Sequence, residues 1–217
     1  MTSDELAKYI DHTQLSPEAT SIDIVKLCDE ARKFNVAAVC FSPSLLPLAT
    51  GSLPPEIKIA SVVGFPSGAH AADVKAIEAG QATKNGATEI DMVVNLGFVF
   101  SANWLELGDE ITQVRAAIPT TTCLKVIIES AALTDAQIVA TCRVAVASGA
   151  NFVKTSTGFH KSGGATVEAV KLMRATVGNF IGVKASGGIR TREMALQMIK
   201  AGASRLGTSA TQAILTN

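Results

Sequence analysis

The chain contains no run of eighteen or more consecutive apolar residues, so no segment reads as a membrane-spanning helix. Its first residues, "MTSDELAKYI", carry acid early and lack an apolar stretch, so no signal peptide is expected. Neither sign of charge is in surplus, with 19 Lys and Arg against 19 Asp and Glu. That balance removes the broad attraction that nucleic acid or an anionic membrane surface exploits. The cysteines, Cys28, Cys40, Cys123 and Cys142, are widely spaced with no C-x-x-C pair. This argues against a disulfide framework or a cysteine zinc site and suits reduced thiols in a cytoplasmic protein. His12, His70 and His160 share no ligand spacing, so no metal is expected. Neither a G-x-G-x-x-G fingerprint nor a phosphate-binding G-x-x-x-x-G-K-[ST] loop is present.

What the chain does have is apolar material, 47% of its residues, enough for a sizeable core. No Ser/Gly-rich linker or long charge run divides it, so residues 1–217 read as one domain. Short Val- and Ile-rich runs alternate with longer segments of helical period. The runs are "KYIDHT" (8–13), "AAVCF" (37–41), "IKIASVV" (57–63), "EIDMVV" (89–94), "LKVIIE" (124–129), "NFVKT" (151–155), "IGVKA" (181–185) and "SRLGT" (204–208). Between them, Ser16–Pro17 marks a helix start, Thr134 with Gln137 forms a capping-box pattern, and Thr166 and Thr191 precede helical periods. Gly149, Gly178 and Gly202 stand where left-handed helix ends are expected. The segments "GATEID", "GANFVK" and "GASRLG" repeat one plan, and "NVAAVC" follows it with Asn35 in the glycine's place. The spacing predicts an α/β fold, a single (β/α)8 barrel with a short N-terminal helix, in preference to an open doubly wound sheet.

Strand side chains alternate between faces, so Glu89, Asp91 and Val93 share one face while Ile90 and Met92 take the other. The same parity groups Lys125 with Ile127 and Glu129, sets Lys154 against Val153, and sets Lys184 against Val183. With the apolar partners facing the helices, Asp91, Lys125, Lys154 and Lys184 point into the barrel, and Asp11 joins them from the first strand. One such charge alone would suit a solvated strand end. Four on adjacent strands call for pairing or shifted pKa values. The easiest relief for crowded lysines is for one to lose its proton. A neutral amine attacks aldehydes and ketones to form an imine, which withdraws electrons from the neighbouring carbon bond. A nearby Asp can relay protons.

The loops after the seventh and eighth barrel strands commonly hold phosphate. Here they are "ASGGIRT" (185–191) and "LGTSA" (206–210), the latter leading into a short helix whose N-terminus favours an anion. Amides and hydroxyls of "TSTG" (155–158) add to them, and Arg190 is either a charge for the anion or solvated surface.

The chain resembles the deoxyribose-phosphate aldolase family, class I aldolases on TIM barrels, nearly end to end. The matching segments are "DHTQL", "AVCFSP", "SVVGFPSG", "EIDMVVNLG", "LKVIIES", "FVKTSTGF", "VKASGGIR" and "LGTSA". The resemblance implies reversible cleavage of 2-deoxy-D-ribose 5-phosphate to acetaldehyde and D-glyceraldehyde 3-phosphate, without metal or other cofactor. It implies Lys154 as the Schiff-base lysine, Lys184 as the second lysine that lowers the pKa of the first, and Asp91 as the proton-transfer residue. Parity alone does not rank Lys154 above Lys184. Asp11, Lys125 and Cys40 resemble members of a supporting network, though Cys40 is equally a small buried apolar residue. Gly158, Gly187, Gly188, Gly207 and Ser209 would hold the phosphate. The scissile bond is expected between C3 and C4 of the sugar.

Partners would be small sugar phosphates and aldehydes, not nucleic acid or membrane, and a homo-oligomer, dimer or tetramer, is compatible with this. Departures from the family pattern are Phe41–Ser42, "HKSGGAT" after "TSTGF", "ESAALT", and Ala210 where serine is frequent. Trp104 and Leu107 read as packing residues. The alternatives are another Schiff-base sugar-phosphate aldolase of transaldolase-like kind, or a barrel that binds a sugar phosphate without catalysis.

Overall fold

The computed structural model describes residues 1–216. Eight strands, β1 (Ile10–Gln14), β2 (Ala38–Phe41), β3 (Lys58–Val63), β4 (Glu89–Val93), β5 (Cys123–Ile127), β6 (Phe152–Lys154), β7 (Gly182–Ser186) and β8 (Arg205–Thr208), pair in chain order. Every pairing is parallel, and β8 pairs with β1 through Asp11↔Gly207, which closes the barrel. Helices α1 (Ser3–Ala7), α2 (Ser21–Phe34), α3 (Ala72–Lys84), α4 (Leu96–Phe100) and α5 (Trp104–Ala117) cover the first half. The second half carries α6 (Asp135–Ala147), α7 (Val167–Val177), α8 (Arg192–Lys200) and α9 (Thr211–Thr216). Among the described residues no helix is long and apolar enough to cross a membrane.

The expected strand–helix repeat breaks once. Between β2 and β3 the chain forms only a 3-10 turn, Pro43–Leu45. Pro43, Pro47, Pro54 and Pro55 fall in this stretch, and each removes a helical donor. The Ser16–Pro17 signal also fails as a helix start. Ser16 instead accepts from the Ala19 amide in a turn, and α2 begins at Ser21, where the Asp23 carboxylate accepts from the Thr20 amide at 2.8 Å. Thr134, Thr166 and Thr191 do cap α6, α7 and α8, each accepting a backbone amide of the first turn. Asn35 ends α2 in the left-handed region (φ 51°), which is why asparagine can replace glycine in the repeat.

The alternation sorts residues as parity requires. Ile90, Met92, Leu124, Val126, Val153, Val183 and Leu206 face the helices in one continuous core. Each such side chain contributes about 1.5–3 kcal/mol by leaving water. Inside the barrel a separate, smaller apolar cluster holds Leu15, Cys40, Ala60 and Val62. Trp104 and Leu107 pack against the outer core, Leu107 fully buried.

Candidate active site

Register brings the interior charges together. Asp91 lies beside Lys125 across β4–β5, and Lys154 beside Lys184 across β6–β7. The Asp91 carboxylate is the hub. Its Oδ1 accepts from Lys125 Nζ at 2.7 Å, and its Oδ2 accepts from both Lys154 Nζ and Lys184 Nζ at 2.8 Å. Lys184 also reaches Asp11 Oδ2 at 2.5 Å, and Lys125 reaches Glu89 Oε2 at 2.6 Å. Arg205 bridges Asp11 Oδ1 at 2.6 Å and Glu89 Oε1 at 3.1 Å. Four cations (Lys125, Lys154, Lys184, Arg205) therefore face three carboxylates (Asp11, Glu89, Asp91), and the set balances when one amine is neutral.

Burial and partners decide which amine loses its proton most easily. Burial works against charge on all three lysines. On Lys125 and Lys184 it is outweighed, by Asp91 and Glu89 for the first and by Asp11 and Asp91 for the second, so both are held above the usual lysine range. On Lys154 burial prevails over its attraction to Asp91, Lys184 adds to it, and the pKa falls. The sequence reading named the cationic neighbour as the cause of that shift; the larger cause is burial. Asp91 would be raised by burial, but Lys125, Lys154 and Lys184 hold it well below the usual carboxylate range. Asp11, raised by burial, is pulled to about 2 by Lys184 and Arg205.

Lys154 is also the interior lysine that lines the open cavity, of about 410 Å³. Gly158, Gly187, Gly188, Gly207 and Ser209 line the same cavity, as do Thr13, Leu15, Thr157, Phe159, Ser186 and Arg190. Gly187 and Gly188 have φ values of 85° and 82°, which only glycine adopts without strain. The "TSTG" hydroxyls, apart from that of Ser156, clamp this wall. Thr155 Oγ1 accepts from the Ser186 amide at 3.0 Å and donates to the Ser186 carbonyl at 3.2 Å, and Ser186 Oγ donates to the Ser156 carbonyl at 2.6 Å. Ser156 Oγ is buried with no partner among the described residues.

Gly207 has a second reason to lack a side chain. A Cβ there would lie 3.0 Å from Ser186 Cβ and 3.1 Å from Lys184 Cε, so this glycine makes room for the second lysine. Cys40 stands apart from the ion pairs, in the inner apolar cluster, with its thiol pKa pushed up by burial. His160 accepts from the Ser162 amide at 3.2 Å within its own turn, and Lys161 is exposed. His12, beside Asp11, faces outward and joins Glu30 of α2 to Thr211 of α9.

Several contributors escaped the sequence reading. Arg205 shares parity with Gly207, and Glu89 with Asp91, so their inward aim was visible but unused. Gly164 was not singled out. A Cβ there would sit 2.2 Å from the Gly187 carbonyl, so it lets the 158–165 loop pack on the glycine turn. Glu129 shares the inward parity of Lys125, but that parity suggested no role for it: it is buried, in left-handed conformation, with its carboxylate on Thr157.

A closed parallel barrel that opens onto one buried lysine of lowered pKa among carboxylates has the make-up of an aldolase-type lyase on a (β/α)8 scaffold. The model of the DeoC/LacD family aldolases matches residues 5–215, and the chain belongs to that family. The deoxyribose-phosphate aldolase of Kocuria rhizophila is 54% identical over 215 residues, spanning 99% of this chain and 97% of that one. The enzyme of the same name from Corynebacterium diphtheriae is 51% identical over 214 residues, with 99% and 97% covered. The solved structure of deoxyribose phosphate aldolase from Aeropyrum pernix, described as a tetramer, superposes with a TM-score of 0.87 at 31% identity, covering 99% of this chain and 91% of that one.

Proposed function

We propose that Lys154, Lys184 and Asp91 carry the chemistry by which this chain cleaves 2-deoxy-D-ribose 5-phosphate. The chain is a lyase of the deoxyribose-phosphate aldolase type and releases acetaldehyde and D-glyceraldehyde 3-phosphate reversibly. The scissile bond is C2–C3, not the C3–C4 bond expected from the sequence, because acetaldehyde takes two carbons and the phosphorylated product three. The Lys154 amine adds to the C1 aldehyde and water leaves, giving a protonated imine. Breaking C2–C3 sends its electron pair into that imine, while the C3 hydroxyl loses its proton and C3 becomes an aldehyde. An enamine of acetaldehyde remains; it takes a proton at C2, and hydrolysis restores the amine.

Asp91 rests as a carboxylate and Lys184 as an ammonium, so they start the cycle as acceptor and donor. The Gly158, Gly187, Gly188 and Gly207 backbone and Ser209 hold the phosphate at the other end of the cavity, with Arg190 adding charge. Asp11, Lys125, Glu89 and Arg205 keep the buried charges paired. The observation that carries these roles is that Lys154 combines a lowered pKa with a place on the cavity wall.

Borohydride reduction in the presence of acetaldehyde tests this assignment. The expected result is a two-carbon adduct on the peptide containing Lys154; an adduct on Lys184, or none, overturns it. Homo-oligomer formation is supported by exposed Ile22, Val25, Ile77 and Leu105, and sedimentation velocity tests it.

A further inference from the structure

Glu129 is 1% exposed and has a φ of 56°, a conformation that a non-glycine residue adopts only when its surroundings impose it. It lies just past β5, next to the loop that follows Lys154. No Lys, Arg or His pairs with its carboxylate among the described residues; the partners are neutral. The Thr157 amide donates to Oε1 at 3.2 Å and to Oε2 at 3.3 Å, and the Thr157 hydroxyl donates to Oε2 at 2.6 Å. A buried carboxylate held only by one residue's amide and hydroxyl is an expensive arrangement if its purpose is packing.

The arrangement has a directional consequence. A threonine hydroxyl has one proton and two lone pairs. The proton of Thr157 goes to Glu129, and one lone pair accepts from the Phe159 amide at 3.1 Å. One lone pair is left, and Thr157 lines the cavity with Lys154 and Gly158. Toward substrate this hydroxyl can therefore only accept. It is a poor ligand for phosphate oxygens, which also accept, and a good one for a sugar hydroxyl.

We infer that Glu129 is a positioning residue that fixes the Thr157 hydroxyl as an acceptor for the C4 hydroxyl of the sugar phosphate, and so helps set substrate specificity. This rests on the sugar-phosphate reading above. The C3 hydroxyl must give its proton to the relay around Asp91. The C4 hydroxyl lies between it and the phosphorylated C5, as Thr157 lies between Lys154 and Gly158 along the wall.

The test compares kcat/KM for 2-deoxyribose 5-phosphate with that for 2,4-dideoxypentose 5-phosphate, which retains the scissile bond and the C3 hydroxyl. Only the natural substrate can close a furanose through its C4 hydroxyl, so both values are taken per free aldehyde, and on that basis the unaltered enzyme should prefer it by about tenfold or more. In Glu129→Gln, whose amide no longer dictates where the hydroxyl proton points, that preference should fall at least about threefold. In Thr157→Val it should fall to near one, and adding Glu129→Gln to Thr157→Val should change it no further. If Glu129→Gln slows both substrates equally and keeps the preference, Glu129 only holds the loop and the inference is overturned. If Glu129→Gln does not fold, Thr157→Val alone decides, and an undiminished preference in it overturns the inference. Failure of the Schiff-base reading is distinguished by the absence of an acetaldehyde adduct in the unaltered enzyme.

Discussion

Replacing Lys184 by methionine should move the pH dependence of Lys154 by an amount the geometry sets. Both Nζ atoms lie 2.8 Å from one oxygen, Asp91 Oδ2, so they are no more than twice that distance apart. At about 5 Å and an effective dielectric of about 20, two unit charges repel by about 3 kcal/mol. Removing that repulsion raises the Lys154 pKa and moves the midpoint of imine formation up by about two pH units. The burial that is the main cause of the lowered pKa remains, since methionine keeps the apolar stem. No carboxylate is orphaned: Asp11 keeps Arg205 at 2.6 Å, and Asp91 keeps Lys125 at 2.7 Å and Lys154 at 2.8 Å. The variant should therefore fold, which a thermal melt checks. The assay is single-turnover imine formation with acetaldehyde, quenched by borohydride, as a function of pH. Well below both midpoints the shift alone should make the rate about 100-fold lower, and any deficit that persists above the shifted midpoint measures the proton that Lys184 donates. Arg205→Met provides a graded comparison. Register places Arg205 beside Lys184 and two strands from Lys154, about 10 Å away. The same calculation gives about 1.7 kcal/mol, or about one pH unit upward. Lys184→Arg, which keeps the charge, should leave the midpoint close to its original position. A Lys184→Met midpoint that stays put or moves down would refute the electrostatic account, leaving Lys184 only a proton-transfer role.

Gly207→Ala should cost about 1–3 kcal/mol and lower activity, because its Cβ would press on Ser186 Cβ at 3.0 Å and Lys184 Cε at 3.1 Å; paired melts and turnover assays check both. Lys75→Met, far from the cavity, should cost about 3–5 kcal/mol while leaving kcat/KM close to unchanged in folded protein, because it leaves the Glu110 carboxylate, 3.0 Å from Lys75 Nζ, buried and unpaired. Adding Glu110→Leu should recover much of that loss in denaturant unfolding. His12 has a pKa lowered from 6.5 by burial, which prevails over its bond to Glu30. Its folded value lies below its unfolded one, so the stability it contributes is present above pH 6.5 and is lost as pH falls through the folded value. Melting temperatures measured from about pH 8 to about pH 5 should decline more steeply in the unaltered protein than in His12→Gln.

Side-chain alternation has a period of two, so a charged residue's parity within an apolar run states which face it takes. That is why Asp91, Lys125, Lys154 and Lys184 could be placed in one interior from the sequence, and why register then made them neighbours. Parity cannot say which lysine meets solvent. Lys154 ends β6, and Thr155–Gly158 then turns along the cavity; Lys184 is followed by Ala185 and Ser186, still within β7. The sequence shows both as a lysine after an apolar run. The role of Glu129, of which only the parity was visible, and the burial of Lys75 were illegible for a different reason. The left-handed turn at Glu129 is set by contacts far along the chain, such as the Ser130 amide on the Thr155 carbonyl at 2.7 Å. Lys75 follows the usual helical pattern of polar residues and is buried because Glu110 and the Val93 carbonyl come to it from another helix and a strand. The failed Ser16–Pro17 signal belongs with these: serine followed by proline suits a turn as well as a helix, and the Thr20–Asp23 cap decided between them.

The interior is not polar all round, and this asymmetry explains how the lowered pKa of Lys154 survives beside a carboxylate. Charged side chains come from β1, β4, β5, β6, β7 and β8; β2 and β3 supply Cys40, Ala60 and Val62, packed with Leu15. In a closed ring of eight strands, β2 and β3 stand four places from β6 and β7, across the barrel from Lys154 and Lys184. Lys184 is compensated by two carboxylates, Asp11 and Asp91, whereas Lys154 has Asp91 alone and shares it with two other lysines. An apolar wall offers Lys154 no further hydrogen bonds for its charge, so desolvation prevails there and fails at Lys184. A carboxylate on that wall would oppose the desolvation of Lys154. Cys40→Asp, at the wall residue whose charge bears on Lys154, should favour the protonated amine and move the midpoint of imine formation to higher pH, by the same Coulomb reasoning that predicts the shift in Lys184→Met.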